Sequence, residues 1–250
     1  TRSYNTGVTF VNEGDFVLGA GLGANPLLVI PTATVVTTAD LVVNSGTFNL
    51  NGNSQAVRQI TNTTANALPN TAGNIVNDSA VAANLYTAQS ALTTFAGTLG
   101  VSGGTANENN FSVDKAGNFA WTLTGAQYYT GATNIRAGSL VLQDSGAITG
   151  GGAINTNFAT LSLVNSGLSH VAARTGTSAI NLTGGTLSIA PRTDEPMRTS
   201  PWVRVRRTTS SSFFSLMMRS SISRRSISSC CSPGPPRVPV APSMRSRWVH

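Results

Sequence analysis

The sequence predicts an all-β fold, a β-solenoid followed by a disordered C-terminal tail, and three observations carry that prediction. One frame of apolar residues around a glycine recurs along residues 1–190. Apolar residues two apart dominate the segments between these glycines. The composition then changes abruptly at residue 191.

The frame is plainest between Thr130 and Leu142, where Ile135 stands three residues before Gly138, and Leu140 and Leu142 stand two and four after it. It returns as Val11, Phe16 and Leu18 around Gly14, as Val43, Phe48 and Leu50 around Gly46, and as Leu182, Leu187 and Ile189 around Gly185. Around Gly167 it is degraded, with Val164 and Val171 in place but Ser169 where an apolar residue is expected. Alternation of apolar residues marks short half-buried strands. The inward positions fall at an odd offset before the glycine and at even offsets after it. A single strand cannot do this, since a slip of one residue turns its second half inside out. The glycine therefore marks a bulge or corner. A strand-corner-strand unit is too small to bury its own apolar face, so the units are expected to stack. The marker glycines are 32, 92, 29 and 18 residues apart. The shortest step suits one coil of a β-helix, and the longer ones would hold further coils or loops. A β-sandwich also uses short strands and turns, but it has no need of self-similarity.

Taken in order, residues 1–19 read as one unit and residues 20–40, with Pro26 and Pro31, as a connector or an edge strand. Residues 41–60 form the second unit, with Asn51-Gly52 as a turn. Residues 61–78 are polar and Asn-rich and read as loops between short strands. In residues 80–95, Leu85, Gln89, Leu92 and Phe95 fall at helical spacing, and Asp78 or Ser79 could cap a short helix. Strand patterns return at 95–101, 111–113 and 119–123. The plainest unit follows, then Gly150-Gly151-Gly152 as a corner, then two closely spaced units ending at Ala190.

Charge divides the chain in two. Residues 1–190 hold five basic and seven acidic residues, a net of −2, whereas residues 191–250 hold eleven arginines against Asp194 and Glu195, a net of +9. The overall charge of +7 therefore belongs to the tail and says nothing about partners of the body. The body has no cysteine, hence no disulfide framework. Its abundant Asn, Thr, Ser and Gly suit ladders between stacked strands. No signal peptide and no apolar run of membrane-spanning length is visible, and the chain reads as a piece of a longer protein.

Tyr129-Thr130-Gly131-Ala132-Thr133-Asn134-Ile135-Arg136-Ala137-Gly138-Ser139-Leu140-Val141-Leu142 closely resembles the autotransporter-associated β-strand repeat of bacterial passenger domains. Val43-Asn44-Ser45-Gly46-Thr47-Phe48-Asn49-Leu50-Asn51-Gly52-Asn53 is similar to a second segment common in that family. The resemblance covers residues 1–190 in patches. It implies a right-handed parallel β-helix exported to the cell surface, ahead of an outer-membrane β-barrel that has no counterpart in this sequence.

From Pro191 onward only Gly234 remains of the glycines, and all four methionines and both cysteines appear. This segment is expected to be disordered, with too little patterned apolar surface to offset chain entropy. Its leading reading is an out-of-frame or misjoined continuation. The rival is an Arg/Ser-rich tail for phosphate-bearing partners. The adjacent pair Cys230-Cys231 lacks the spacing of a zinc or redox site.

No catalytic, cofactor-binding or metal-ligating residue is assigned. His170 is the body's one histidine, and no spacing joins it to Asp144 and a serine as a triad. The acidic pairs Glu13/Asp15 and Glu108/Asp114 read as turn residues without a basic partner. Gly150-Gly151-Gly152 lacks the Lys-Ser/Thr of a phosphate loop. The sequence thus points to a non-enzymatic surface or secreted stalk, outer-membrane associated when whole, that adheres to an unidentified surface ligand such as a host surface, matrix or polysaccharide. No cofactor and no nucleic-acid partner is expected. A β-helical carbohydrate-active enzyme and a cytoplasmic basic-tail binding protein are the alternatives.

Overall fold

A computed structural model describes residues 8–22, 39–63 and 68–190, and the backbone of two further strands at 205–209 and 212–215. The chain divides into two units, Thr1–Met218 and Arg219–His250, the second of which lies outside the described residues. The predicted edge strand at Leu27–Ile30 also lies outside them. No helix occurs among the described residues.

The chain enters through β1 (Thr9–Val11) and β2 (Asp15–Val17) and then runs in triplets of short strands. The first triplet is β3 (Leu41–Val43), β4 (Thr47–Asn49) and β5 (Gln55–Val57), and the second is β6 (Ile60–Thr61), β7 (Asn74–Val76) and β8 (Ala83–Ala88). The third is β9 (Thr93–Phe95), β10 (Thr98–Leu99) and β11 (Phe111–Ala116), followed by β12 (Ala120–Leu123), β13 (Ala126–Gln127) and β14 (Thr133–Ile135). A fifth comprises β15 (Ser139–Leu142), β16 (Ala147–Ile148) and β17 (Ile154–Asn157). Beyond it the turns hold two strands each: β18 (Thr160–Val164) with β19 (Ile180–Thr183), then β20 (Thr186–Ala190) with β21 (Val205–Thr209). A last strand, β22 (Ser212–Ser215), follows.

Each member of a triplet joins a different sheet. First strands lie in β1-β3-β6 and β9-β12-β15-β18-β20, second strands in β2-β4-β7-β10 and β13-β16, and third strands in one sheet, β5-β8-β11-β14-β17-β19-β21-β22. Among the described strands every strand-to-strand pairing is parallel except β21 with β22; a single antiparallel bridge joins Asn157 to Gly184. Parallel partners lie between 19 residues apart, as at Trp121↔Leu140, and 32 apart, as at Thr9↔Leu41. The arrangement is compatible with a β-solenoid.

Alternation places one side chain in two inside, and register puts each inward residue above its counterpart. Trp121, Leu140 and Leu161 form one such column, and Phe95, Leu123, Leu142 and Leu163 another. All seven are buried. Each fully buried Leu or Phe contributes about 1.5–3 kcal/mol. The two faces of Phe16 and Phe48 stack at 5.6 Å between centroids. Trp121 also spans two coils, its Nε1 donating to the carbonyl of Ile60 at 3.1 Å.

Four of the five marker glycines sit at corners, but at two different ones. Gly14 and Gly46 turn the chain from a first strand to a second, whereas Gly138 and Gly185 turn it from a third strand into the next coil. Gly14 and Gly138 adopt φ of 65° and 61°, which a Cβ would penalise. Gly46 is required by proximity instead: an added Cβ would meet the carbonyl oxygen of Gly14 beneath it. The same holds for Gly73 above Gly46, Gly97 above Gly73 and Gly125 above Gly97. These glycines form a column whose carbonyls also receive the next strand, as in Thr47 N–H to Gly14 O at 2.8 Å and Asn74 N–H to Gly46 O at 2.9 Å.

Two expectations are corrected here. Residues 80–95 are β8, a turn and β9 rather than a helix. Leu85, Gln89 and Phe95 are buried but Leu92 is 75 % exposed, so the helical spacing arises from two inward-facing strands on either side of an outward turn. Gly167 is no strand corner, because residues 165–179 contain no strand; the 18-residue step it suggested is shorter than any coil present. Beyond residue 190, backbone strands at 205–209 and 212–215 continue the third-strand sheet. There the open edge of β19 supplies backbone partners, and a free edge templates pairing whatever the side chains.

Candidate functional surface

The third-strand sheet carries the most distinctive surface. Its outward residues include one from each of four successive rungs, Asp114, Asn134, Asn155 and Asn181, in direct register. Asn134 Nδ2 donates to Asp114 Oδ2 at 3.3 Å, Asn155 Nδ2 to Asn134 Oδ1 at 2.8 Å, and Asn181 Nδ2 to Asn155 Oδ1 at 2.8 Å. The amides therefore form a polarised ladder that ends on a carboxylate. Such a ladder needs identical side chains at rung spacing, about 4.8 Å, which parallel register supplies.

Arg136 closes the carboxylate end. Its Nε donates to Asp114 Oδ1 at 2.6 Å and its Nη2 lies 2.5 Å from the same atom. Asp114 thus lies on β11 and pairs with an arginine, correcting its reading as an unpartnered turn residue. Asp15 likewise opens β2 rather than sitting in a turn. The Asp114–Arg136 contact spans 22 residues and follows from coil stacking, which no linear motif announces. One rung before Asp114 in the same row stands Tyr86, 39 % exposed, whose hydroxyl accepts from Asn84 Nδ2 at 3.2 Å.

Behind this face lies Lys115, which sequence reasoning passed over. Its side chain is fully buried, and Nζ donates to the carbonyls of Gly117, Phe119 and Ala137 at 2.7, 2.6 and 2.7 Å. The ammonium ties together two successive corners. Burial pushes it down to about 8. Tyr129, also buried, is held well above the usual phenol range by desolvation and contacts Thr133 Oγ1 at 2.6 Å.

Residues screened for chemistry do not converge. His170 is exposed in the 165–179 segment, while Asp144 is buried and accepts from the Leu168 N–H. Arg174 is buried nearby, donating to Asn165 Oδ1 at 2.7 Å and Gly146 O at 2.6 Å, and desolvation lowers its pKa. Glu108 accepts from the Thr105 N–H at 2.5 Å and so closes its own turn. Gly150-Gly151-Gly152 turns the chain between β16 and β17. Among the described residues, no group of three or more His, Cys, Asp and Glu could hold a metal ion, and no helix is long and apolar enough to cross a membrane.

Comparison with protein-family models, with curated proteins and with solved structures gives no match to this chain.

Proposed function

We propose that the chain is part of a non-enzymatic structural and adhesive stalk, a right-handed parallel β-helix of the autotransporter-passenger type displayed at the cell surface or secreted. The observation that carries the reading is the parallel stacking of coils around one apolar core, continuous in the third-strand sheet from β5 to β19. Coils joined in this way extend by repetition, and their stability comes from neighbour contacts rather than from a pocket. The motif around Gly138, whose inward positions Ile135, Leu140 and Leu142 are buried, supports the same reading. So does a surface chemistry of amide and hydroxyl rows, which suits contact with a polar partner. In the full-length protein an outer-membrane barrel would anchor the stalk, and its ligand would be a host surface, matrix or polysaccharide.

The test is display. The chain is placed between a secretion signal and an outer-membrane translocator barrel in a Gram-negative host, and intact cells are shaved with protease and scored for adherence. Release of β-rich fragments together with raised adherence is the expected result. A chain that stays protease-inaccessible, or that is displayed without changing adherence to any coated surface, would sink the stalk reading.

A further inference from the structure

We propose that the outward face of the third-strand sheet, from Tyr86 to Asn181, is a binding surface for an uncharged polysaccharide lying across the rungs. This deepens the stalk reading and rests on it for the stack, but the ligand class comes from the face itself.

Three features of the face select that class. The first is its unused hydrogen-bonding capacity. The ladder takes one N–H from each of Asn134, Asn155 and Asn181, and all three side chains are partly exposed, so each amide presents its second N–H at a regular step along the stack. A row of fixed donors at about 4.8 Å spacing suits a polymer with recurrent hydroxyls. The second is shape. Two residues before each amide stand Ala132, Ala153 and Ala179, partly or fully exposed, so that small methyl groups rather than bulky side chains flank the ladder. A sugar ring is apolar on its C–H faces and polar at its rim, and the methyl groups and ladder offer each its counterpart. Tyr86, at one end of the row, adds an exposed aromatic whose hydroxyl is already positioned by Asn84.

Charge is the third. Across the rungs from Tyr86 to Asn181, Arg136 beside the row is paired with Asp114, and Lys115 points inward to backbone carbonyls; the next residue in register, beyond Asn181, is Arg206. Among the described side chains of these rungs, no unpaired cation faces outward as a phosphate or sulfate polymer would require. A peptide adding a strand is disfavoured too, since β8, β11, β14 and β17 are each hydrogen-bonded on both sides. An uncharged glycan is what remains.

The test is affinity electrophoresis of the full chain through gels containing dextran, galactomannan or a mixed-linkage β-glucan, with dextran sulfate and polygalacturonate as charged controls. Tyr86→Ala and Asn155→Ala are compared with Ser162→Ala on the neighbouring sheet, and far-UV circular dichroism is recorded for each. Retardation by at least one neutral polymer, weakened about tenfold by Tyr86→Ala and unchanged by Ser162→Ala, is expected. A β-rich chain that no neutral polymer retards, or that Tyr86→Ala retards equally, overturns the face while leaving the stack intact. Retardation by the charged polymers alone overturns it as well. Loss of the β signature in the unmutated chain would instead remove the stack, and with it this proposal.

Discussion

Lys115 concentrates the residue-scale argument, because a cation with no exposure survives only if its donors are used. Three carbonyls at 2.6–2.7 Å satisfy all three N–H bonds. Replacing it by Met leaves three part-buried carbonyls without this donor, at a cost of up to about 1–3 kcal/mol each, less where water reaches them. Lys115→Met should therefore lower stability by about 2–4 kcal/mol in urea titration at pH 7. The pH dependence has a definite sign. The folded chain releases this proton at about 8, while the unfolded chain holds it until about 10.4. Between those values the unfolded state binds more protons, so this residue makes stability rise with pH, and that contribution to the slope should be missing from the Met variant. Urea midpoints measured from pH 7.5 to 10.5 would show it. Trp121 offers a second test. Trp121→Phe keeps most of the apolar volume but leaves the carbonyl of Ile60 unpaired, for an expected loss of about 1–3 kcal/mol.

At the scale of elements, corners decide more than strands do. The alternation in Thr133–Ile135 and Ser139–Leu142 was readable because burial follows the side-chain period of two. The glycine frame was readable too, but it reports any place where one inward strand ends and another begins, so it could not tell which corner it marked. Gly73, Gly97 and Gly125 were missed because their reason is vertical: each lies over a carbonyl contributed 24–28 residues earlier, and nothing beside them in sequence says so. The same blindness hid Asp114 and Arg136, whose partnership exists only once coils are stacked. Gly73→Ala should thus cost clearly more than the ordinary 1 kcal/mol or so of a glycine effect, since backbone of the coil below must move. Gly103→Ala, at φ 66° with open space around its Cβ position, should cost only about 1 kcal/mol. Thermal unfolding of the two variants side by side is the measurement.

For the whole molecule, the sheets raise the question of their ends. β20 is an edge of its sheet, and Ile189 on it is 52 % exposed where the equivalent residues of earlier coils, Leu142 and Leu163, are buried. β1 and β2 are edges likewise, with Val17 exposed by about the same amount as Ile189. Free edges with apolar side chains recruit further strands. Self-association at micromolar concentration is therefore expected, and Ile189→Lys should reduce it, as sedimentation velocity would reveal. A monodisperse parent chain would count against open edges. Amide hydrogen exchange should be slowest in β11, β14 and β15, which have neighbours on both sides, and fastest at β1 and β20.

The register has a consequence for how such a chain is made. Among the described residues its parallel pairings join residues 19 to 32 apart, so none of these strands waits for a partner from the far end of the chain. Each coil needs only the one before it as a template, and none has to be inserted between two already in place. A polypeptide released gradually, from a ribosome or through a narrow pore, can be wound up as it emerges, one turn at a time, and the turns already laid down hinder its slipping back.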